Sequence, residues 1–236
     1  MMNDVFENRI GGIEKLTLID YEGHLSCILF YNGCNLKCPY CYNIELALGK
    51  ANTIAAEEIK SFLRNRAGKL DAVVFSGGEC TVHGENLKND VIFVKSLGYK
   101  VKIDTNGSNP ALIKNLIEEN LVDYIALDYK APDKIISKFT NNSNFYNNFK
   151  ETLKYLIGQD KIRFEVRTTV HTDVTDESDI AEIIEDLENI GYKGNYYIQF
   201  FFSGPNTIGN VNQHPRKFDK NKISAGNNIT ILFRNE

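Results

Sequence analysis

The chain has 236 residues, of which 42% are hydrophobic and 25% are charged, and its formal net charge is −4. These values are typical of a globular protein with a sizeable core, and the mild acidity argues against a broad basic surface for nucleic acid. The sequence contains no apolar run of the roughly 18 residues needed to cross a membrane. Its N-terminus lacks the apolar segment of a signal peptide. We therefore expect a cytoplasmic protein with no membrane or nucleic-acid partner.

Short apolar runs alternate with helical periodicity along the chain. Six runs are predicted as strands, over residues 25–31, 72–76, 100–104, 124–128, 163–170 and 196–202. Their nearly continuous apolar character is typical of strands buried on both faces of a parallel sheet. Five helices are predicted, over residues 53–66, 86–97, 110–120, 147–157 and 177–190. Thr53 is the expected N-cap of the first helix, and residues 229–233 could add an edge strand.

This alternation predicts an α/β fold built from right-handed β-α units. A closed barrel typically needs eight units and about 250 residues. Six units therefore predict an open, partial (β/α)6 barrel of parallel strands, with a doubly wound sheet as the alternative. We expect one barrel domain over residues 1–204, with residues 205–236 as a tail of the same domain. Both architectures place their chemistry at the carboxyl ends of the strands.

Three cysteines with CxxxCxxC spacing follow the first predicted strand: Cys34, Cys38 and Cys41, in the string CNLKCPYC. Since a four-iron cluster takes four cysteines for full ligation, three would leave one iron open to another ligand. Zinc is an alternative, but a structural zinc site needs a fourth ligand and commonly a second pair. Cys27 and Cys80 stand alone in the sequence. A third possibility is that no metal binds, so that the three thiols are simply buried.

The cysteine motif, together with Gly77-Gly78-Glu79 at the end of the second predicted strand, resembles the radical S-adenosylmethionine (SAM) superfamily. The resemblance implies one [4Fe-4S] cluster per chain, whose open iron binds SAM, and reductive cleavage of SAM to a 5′-deoxyadenosyl radical. It also implies that the two glycines let the backbone approach the methionine moiety and that Glu79 accepts from its ammonium group. Tyr40 and Tyr42 are expected near the adenine or the cluster.

Four further segments resemble the activating enzymes of glycyl-radical enzymes: residues 10–23, Asn43, residues 104–107 (DTNG) and residues 126–132 (ALDYKAP). Among these enzymes, the chain looks most like the activating proteins of anaerobic ribonucleoside-triphosphate reductase and pyruvate formate-lyase. The resemblance implies a glycyl-radical enzyme as the partner, with anaerobic ribonucleotide reductase as the expected one. Flavodoxin or ferredoxin is the expected reductant.

Carried over by motif position, further cofactor-binding residues are expected at the strand ends: Asp104, Asp128, Lys130, Arg167 and Gln199. Asp104, Thr105 and Asp128 also match a monovalent-cation site of this family. The alternatives are structural. The two aspartates could cap helices or stabilise loops, Lys130 could be a solvated charge, and Arg167 could serve only in ion pairs.

The sequence also departs from the activase pattern. Tyr42 stands where these enzymes usually have histidine, and Cys80 follows the Gly-Gly-Glu motif in place of proline or alanine. Cys80 is expected to lie near the cofactor as a spectator, with a redox-sensitive thiol or a contributor to the chemistry as the alternatives. Two other functions compete with the activase: a small-molecule radical SAM enzyme similar to the 7-carboxy-7-deazaguanine synthases, and an iron–sulfur electron carrier. The short CxxxC spacing argues against the first, and the Gly-Gly-Glu motif against the second.

Overall fold

The computed structural model describes residues 5–235, which form eight strands and six α-helices. The strands are β1 (Ile10–Thr17), β2 (Ser26–Tyr31), β3 (Ala72–Gly77), β4 (Lys100–Thr105), β5 (Tyr124–Asp128), β6 (Arg163–Val170), β7 (Gly194–Phe200) and β8 (Ile229–Arg234). The helices are α1 (Ile44–Ala47), α2 (Ala56–Arg66), α3 (Glu85–Ser96), α4 (Pro110–Glu118), α5 (Phe145–Ile157) and α6 (Glu177–Ile190).

All eight strands belong to one sheet, whose spatial order is the chain order from β1 to β8. Strands β2 to β8 run parallel, and β1 pairs antiparallel with β2. With β1 and β8 as its edges, the sheet is open, and the predicted partial barrel is confirmed. The optional edge strand is confirmed as β8. Strand β1 was not predicted. Residues 14–16 in its second half are solvent-exposed, and its pairing with β2 is interrupted by irregularities of register.

The five predicted helices are present, with ends that differ by a few residues. The expected N-cap at Thr53 is wrong, because α2 begins after Ala55, whose side chain makes no capping hydrogen bond. Asn109 does cap α4, since its side chain accepts from the backbone N–H of Leu112 at 3.2 Å. Among the described residues, no helix is long and apolar enough to span a membrane.

Alternate residues along the strands point to opposite faces of the sheet. On the outer face, Val101, Ile103 and Leu127 are fully buried in one apolar core with the helices. A smaller apolar cluster lies at the amino-terminal end of the inner face and contains Tyr21, Ile28, Ala72, Val74 and Tyr124. Polar side chains occupy the inner face beyond this cluster, towards the carboxyl ends. The fold therefore builds its polar site on the inner face alone.

Candidate active site

A cavity of about 280 Å³ lies at the carboxyl ends of the parallel strands. Its lining includes every residue predicted to bind the cluster or SAM: Cys34, Cys38, Tyr40, Cys41, Tyr42, Gly77, Gly78, Glu79, Asp104, Asp128, Lys130, Arg167 and Gln199. Thr105, which was predicted only for the cation site, does not line the cavity. The lining residues are spread over more than 160 positions of the sequence, and only the parallel sheet brings them together. Their convergence agrees with the prediction of a single site, while the role of each residue stays a prediction.

The cysteine loop is held in place by a segment from much later in the chain. The backbone N–H of Ile208 donates to the carbonyl of Cys41 at 2.9 Å, and that of Gly209 donates to the carbonyl of Pro39 at 2.8 Å. A side chain at Gly209 would approach Pro39 to within 2.8 Å. Glycine at this position therefore lets the two segments pack closely.

All three cysteines of the motif are free thiols that line the cavity. Burial raises the pKa of Cys34 to about 12 and that of Cys38 to about 11. Because thiolates are the ligands of metals, cluster assembly at this site must displace these protons. Among residues 5–235, no three potential ligands converge tightly enough to hold a single metal ion. Three thiols on one loop match the ligand number for three irons of a cluster, whereas a structural zinc site needs a fourth ligand.

Gly77 and Gly78 join the cysteine loop to the sheet. The backbone N–H groups of Gly78 and Glu79 continue the ladder, with Gly78 donating to the Tyr31 carbonyl at 2.8 Å and Glu79 donating to the Gly33 carbonyl at 2.8 Å. A Cβ on Gly77 would collide with the backbone of Tyr31, and one on Gly78 with the carbonyl of Gly33. Close packing of backbone on backbone therefore requires glycine here, in addition to the expected approach of a ligand.

The carboxylate of Glu79 is buried and accepts hydrogen bonds from protein donors on both oxygens. Its Oε1 accepts from the hydroxyls of Thr81 at 2.6 Å and Thr105 at 2.7 Å, and its Oε2 accepts from the backbone N–H of Asn106 at 2.7 Å. Burial raises the pKa of Glu79 although these hydrogen bonds favour the charged form. The carboxylate thus ties the end of β3 to the end of β4, which is a positioning task alongside the expected contact with SAM.

Three cations and two carboxylates form a chain of ion pairs across the inner face. Asp104 lies between Lys102 Nζ, at 3.0 Å, and Arg167 Nη2, at 3.2 Å. Asp128 accepts from Arg167 Nε and from Lys130 Nζ, the latter at 2.9 Å. Burial alone would raise the pKa of both aspartates, but the cations outweigh it and lower them. Both carboxylates are therefore ionised at neutral pH.

Aromatic side chains form the rim of the cavity. Tyr42 and Phe202 are 49% and 64% exposed, and their rings meet edge to face at a centroid separation of 6.5 Å. Tyr40 is buried against Phe139, and its hydroxyl has no hydrogen-bond partner within the described part of the chain. A second cavity, of about 910 Å³, adjoins the first and shares Phe200 and Phe201 with it.

Sequence reasoning missed Lys102, which is only 3% exposed. The available signal was a lysine two positions before Asp104 in an otherwise apolar strand, since such spacing places both side chains on one face. Ser76 was also missed, and its hydroxyl donates to Asp104 Oδ2 at 3.3 Å. Cys80 lies outside the cavity lining, with its Sγ 3.8 Å from the Phe75 carbonyl and 3.7 Å from the Asp104 carbonyl. Cys80 is therefore one residue away from the lining residue Glu79 without lining the cavity itself, and its role as a spectator stays a prediction.

The model of the radical SAM superfamily matches residues 28–206 of this chain. A putative glycyl-radical enzyme activating enzyme of Methanocaldococcus jannaschii is 33% identical, covering 76% of this chain and 75% of the relative. The pyruvate formate-lyase-activating enzyme of Clostridium pasteurianum is 30% identical, and the match covers 77% of this chain and 78% of the relative. A 7-carboxy-7-deazaguanine synthase of Clostridium acetobutylicum is 28% identical, and the match covers 83% of this chain and 84% of the relative.

The fold is also similar to solved structures. The structure of SuiB from Streptococcus suis bound to S-adenosylmethionine superposes with a TM-score of 0.59 and 14% identity. The match covers 88% of this chain and 52% of that one, so this chain spans about half the length of SuiB. At this level of identity the likeness concerns the architecture alone.

Proposed function

This chain belongs to the radical SAM superfamily, in the branch that contains glycyl-radical enzyme activating enzymes, and from that premise we propose that it generates a glycyl radical on a partner enzyme. Members of the superfamily use a [4Fe-4S] cluster and SAM. The observation that carries the proposal is one cavity that combines three free cysteines, the Gly-Gly-Glu turn and the Asp104–Arg167–Asp128 ion pairs.

The chemistry would proceed by one-electron steps. When bound, the cluster would supply one electron from a protein reductant for cleavage of the C5′–S bond of SAM to methionine and a 5′-deoxyadenosyl radical. Transfer of a hydrogen atom from a glycine Cα of the partner to this radical would yield 5′-deoxyadenosine and a glycyl radical. Flavodoxin or ferredoxin stays the proposed reductant, and the reduced thiols agree with the proposed cytoplasmic location.

The residues of the chain would hold, orient and shield these groups. Cys34, Cys38 and Cys41 would bind three irons of the cluster. Lys130 and Arg167 carry positive charge into the cavity, where the carboxylate of SAM would be attracted. The carboxylates of the ion-pair chain and the carbonyls of the Gly-Gly turn would accept from its ammonium group. Tyr40 and the other aromatic side chains would limit the access of water to the reacting atoms.

The exposed aromatic rim supports a protein substrate. Tyr42 and Phe202 present apolar surface to solvent at the mouth of the cavity, and large exposed apolar groups often mark interaction sites. The adjoining cavity of about 910 Å³ offers room for several residues of a polypeptide beside the site. We propose that a loop carrying the target glycine enters here and that the partner is anaerobic ribonucleotide reductase.

The second candidate is a small-molecule radical SAM enzyme, favoured by the similarity to 7-carboxy-7-deazaguanine synthase. The two candidates differ in their substrate and share the cleavage of SAM. The compact CxxxCxxC spacing and the open rim favour the activase.

Electron paramagnetic resonance separates the two candidates. We expect the reconstituted, reduced protein to cleave SAM and to produce a glycyl doublet when mixed anaerobically with a cognate anaerobic reductase. A reductase whose target glycine is replaced by alanine is the matched control and should give no doublet. Competent SAM cleavage without a doublet for any candidate reductase would contradict the activase and favour the small-molecule enzyme.

A further inference from the structure

The predicted monovalent-cation site does not fit the geometry of its three predicted ligands. Thr105 is directed away from the ion-pair chain, because its hydroxyl donates to Glu79 at 2.7 Å. Arg167 lies between Asp104 and Asp128 and contacts both carboxylates. A cation shared by the two aspartates would have to displace this guanidinium.

Lys102 occupies the other side of Asp104. Its ammonium lies 3.0 Å from Asp104 Oδ1 and donates to the carbonyl of Asp20 at 2.6 Å. It also lies over the ring of Tyr124, 5.3 Å from the centroid. Oδ1 of Asp104 accepts no well-directed hydrogen bond in the described part of the chain, but an ammonium already stands beside it. A metal cation coordinated at Oδ1 would be repelled by this neighbour.

The balance of charge also argues against a bound cation at this position. Lys102, Arg167 and Lys130 contribute three positive charges against the two carboxylates of Asp104 and Asp128. The inner face also carries Glu165, but Arg234 pairs with it in a bidentate contact at 3.0 and 2.9 Å. The ion-pair chain therefore has a surplus of one positive charge, and a bound cation would increase the surplus in a poorly solvated region.

We propose that Lys102 and Arg167 supply the positive charge that a monovalent cation would otherwise supply beside Asp104 and Asp128, so that the binding of SAM by this chain does not depend on K⁺ or Na⁺. Lys102 is thereby a positioning residue, since it orients Asp104 without reaching the cavity. The proposal goes beyond glycyl-radical formation and rests only on the binding of SAM in this cavity.

The affinity of the oxidised, cluster-loaded protein for SAM tests the proposal. We compare KCl, NaCl and tetramethylammonium chloride at equal ionic strength, because tetramethylammonium is too large to enter such a site. A bound effector typically changes the affinity of a coupled ligand by roughly 5–150-fold. We expect the wild-type affinity to differ by less than about twofold among the three salts, which lies below that range. A rise of about fivefold or more in KCl or NaCl would overturn the proposal.

Two variants sharpen the test. Lys102→Ala frees Asp104 Oδ1 and the Asp20 carbonyl, which are oxygen ligands of the kind that hard cations prefer, and should make SAM affinity depend on K⁺ or Na⁺ by about fivefold or more. Lys102→Arg retains the positive charge, so the SAM affinity of this variant should remain independent of K⁺ and Na⁺. A folded Lys102→Ala protein with no cation dependence would overturn the role assigned to Lys102.

Thermal unfolding of the protein without SAM gives a second readout. A ligand that binds only the folded state raises the Tm, so the wild type should have the same Tm in KCl and tetramethylammonium chloride. A higher Tm in KCl would contradict the proposal even if SAM failed to bind in any salt. Failure of SAM binding alone would count against the proposed function and leave this readout intact.

Discussion

The two faces of the sheet follow different rules, and β4 shows the contrast within two adjacent residues. Ile103 points outward and is fully buried against apolar side chains, whereas Asp104 points inward and takes part in ion pairs with Lys102 and Arg167. Apolar contacts on the outer face stabilise the fold by removing surface from water. Charged groups on the inner face must instead be matched with one another, because an unpaired buried charge is strongly unfavourable. The outer face thus serves mainly stability, and the inner face prepares a site.

The largest effect should come from the cysteine loop, which closes the inner face. Cys38→Ala should abolish cluster binding and SAM cleavage while the helices and strands persist, since the thiol of Cys38 is only a small part of the large apolar core to which it belongs. Iron content and 5′-deoxyadenosine release measure these outcomes. Cys80→Ala is the matched control and should retain close to four irons, about the number in one [4Fe-4S] cluster. Loss of the cluster in this control would show that Cys80 is a ligand.

Truncation of a side chain on the outer face should affect stability only. Ile103→Ala removes a fully buried side chain and should lower the free energy of unfolding by about 2–5 kcal/mol. Urea denaturation measures the change. The folded fraction should bind SAM with wild-type affinity, because Ile103 does not line the cavity. A large loss of SAM affinity in the folded variant would contradict the separate roles assigned to the two faces of the sheet.

Removal of a charged side chain from the inner face should change stability, the pH dependence of stability and the affinity for SAM together. Arg167→Met should lower the free energy of unfolding at pH 7 by about 1.5–3 kcal/mol, the range for hydrogen bonds to charged groups. The loss should stay below that of a fully uncompensated charge because Lys102 and Lys130 remain beside the two aspartates. SAM affinity should fall as well, and this would distinguish the variant from Ile103→Ala.

The pH dependence of the same variant follows from the lowered pKa values of Asp104 and Asp128. A carboxyl group whose pKa is lower in the folded state contributes stability above its unfolded pKa, near 3.9, and this stability is lost as the pH falls through the folded pKa. Without Arg167, the folded pKa values should rise towards the unfolded value. The stability difference between wild type and variant should therefore be largest at neutral pH and shrink below about pH 4. A constant difference would show that these aspartates are not coupled to Arg167.

Much of the architecture could be predicted because its signals are local. Buried parallel strands appear as apolar runs, and residues at their carboxyl ends must meet at one edge of the sheet. That rule was enough to gather the cysteine motif, the Gly-Gly-Glu turn, Asp104 and Asp128 in one cavity. The motif resemblance added the cluster and SAM, which spacing alone leaves open between iron–sulfur, zinc and no metal.

The remaining features depend on contacts between distant parts of the chain, which carry little local signal. Strand β1 is exposed over three of its eight residues and pairs with β2, which lies in a different segment of the chain. The approach of Lys102 to Asp104 was encoded in their spacing, but its pairing with the Asp20 carbonyl was not. The predicted cap at Thr53 was wrong because a capping residue by itself does not determine where a helix begins. The protein donors that surround Glu79 come from two segments, and no pattern in either segment indicates them.

The hydrogen bonds from Ile208 and Gly209 to the cysteine loop have a consequence for biosynthesis. A nascent chain presents its three thiols early, but the segment that fixes their loop is translated more than 160 residues later. The loop therefore reaches its final shape only when most of the polypeptide has left the ribosome. A fully supported cysteine loop is accordingly a late product of synthesis, and a prematurely terminated chain would carry all three cysteines without the support that holds them in position.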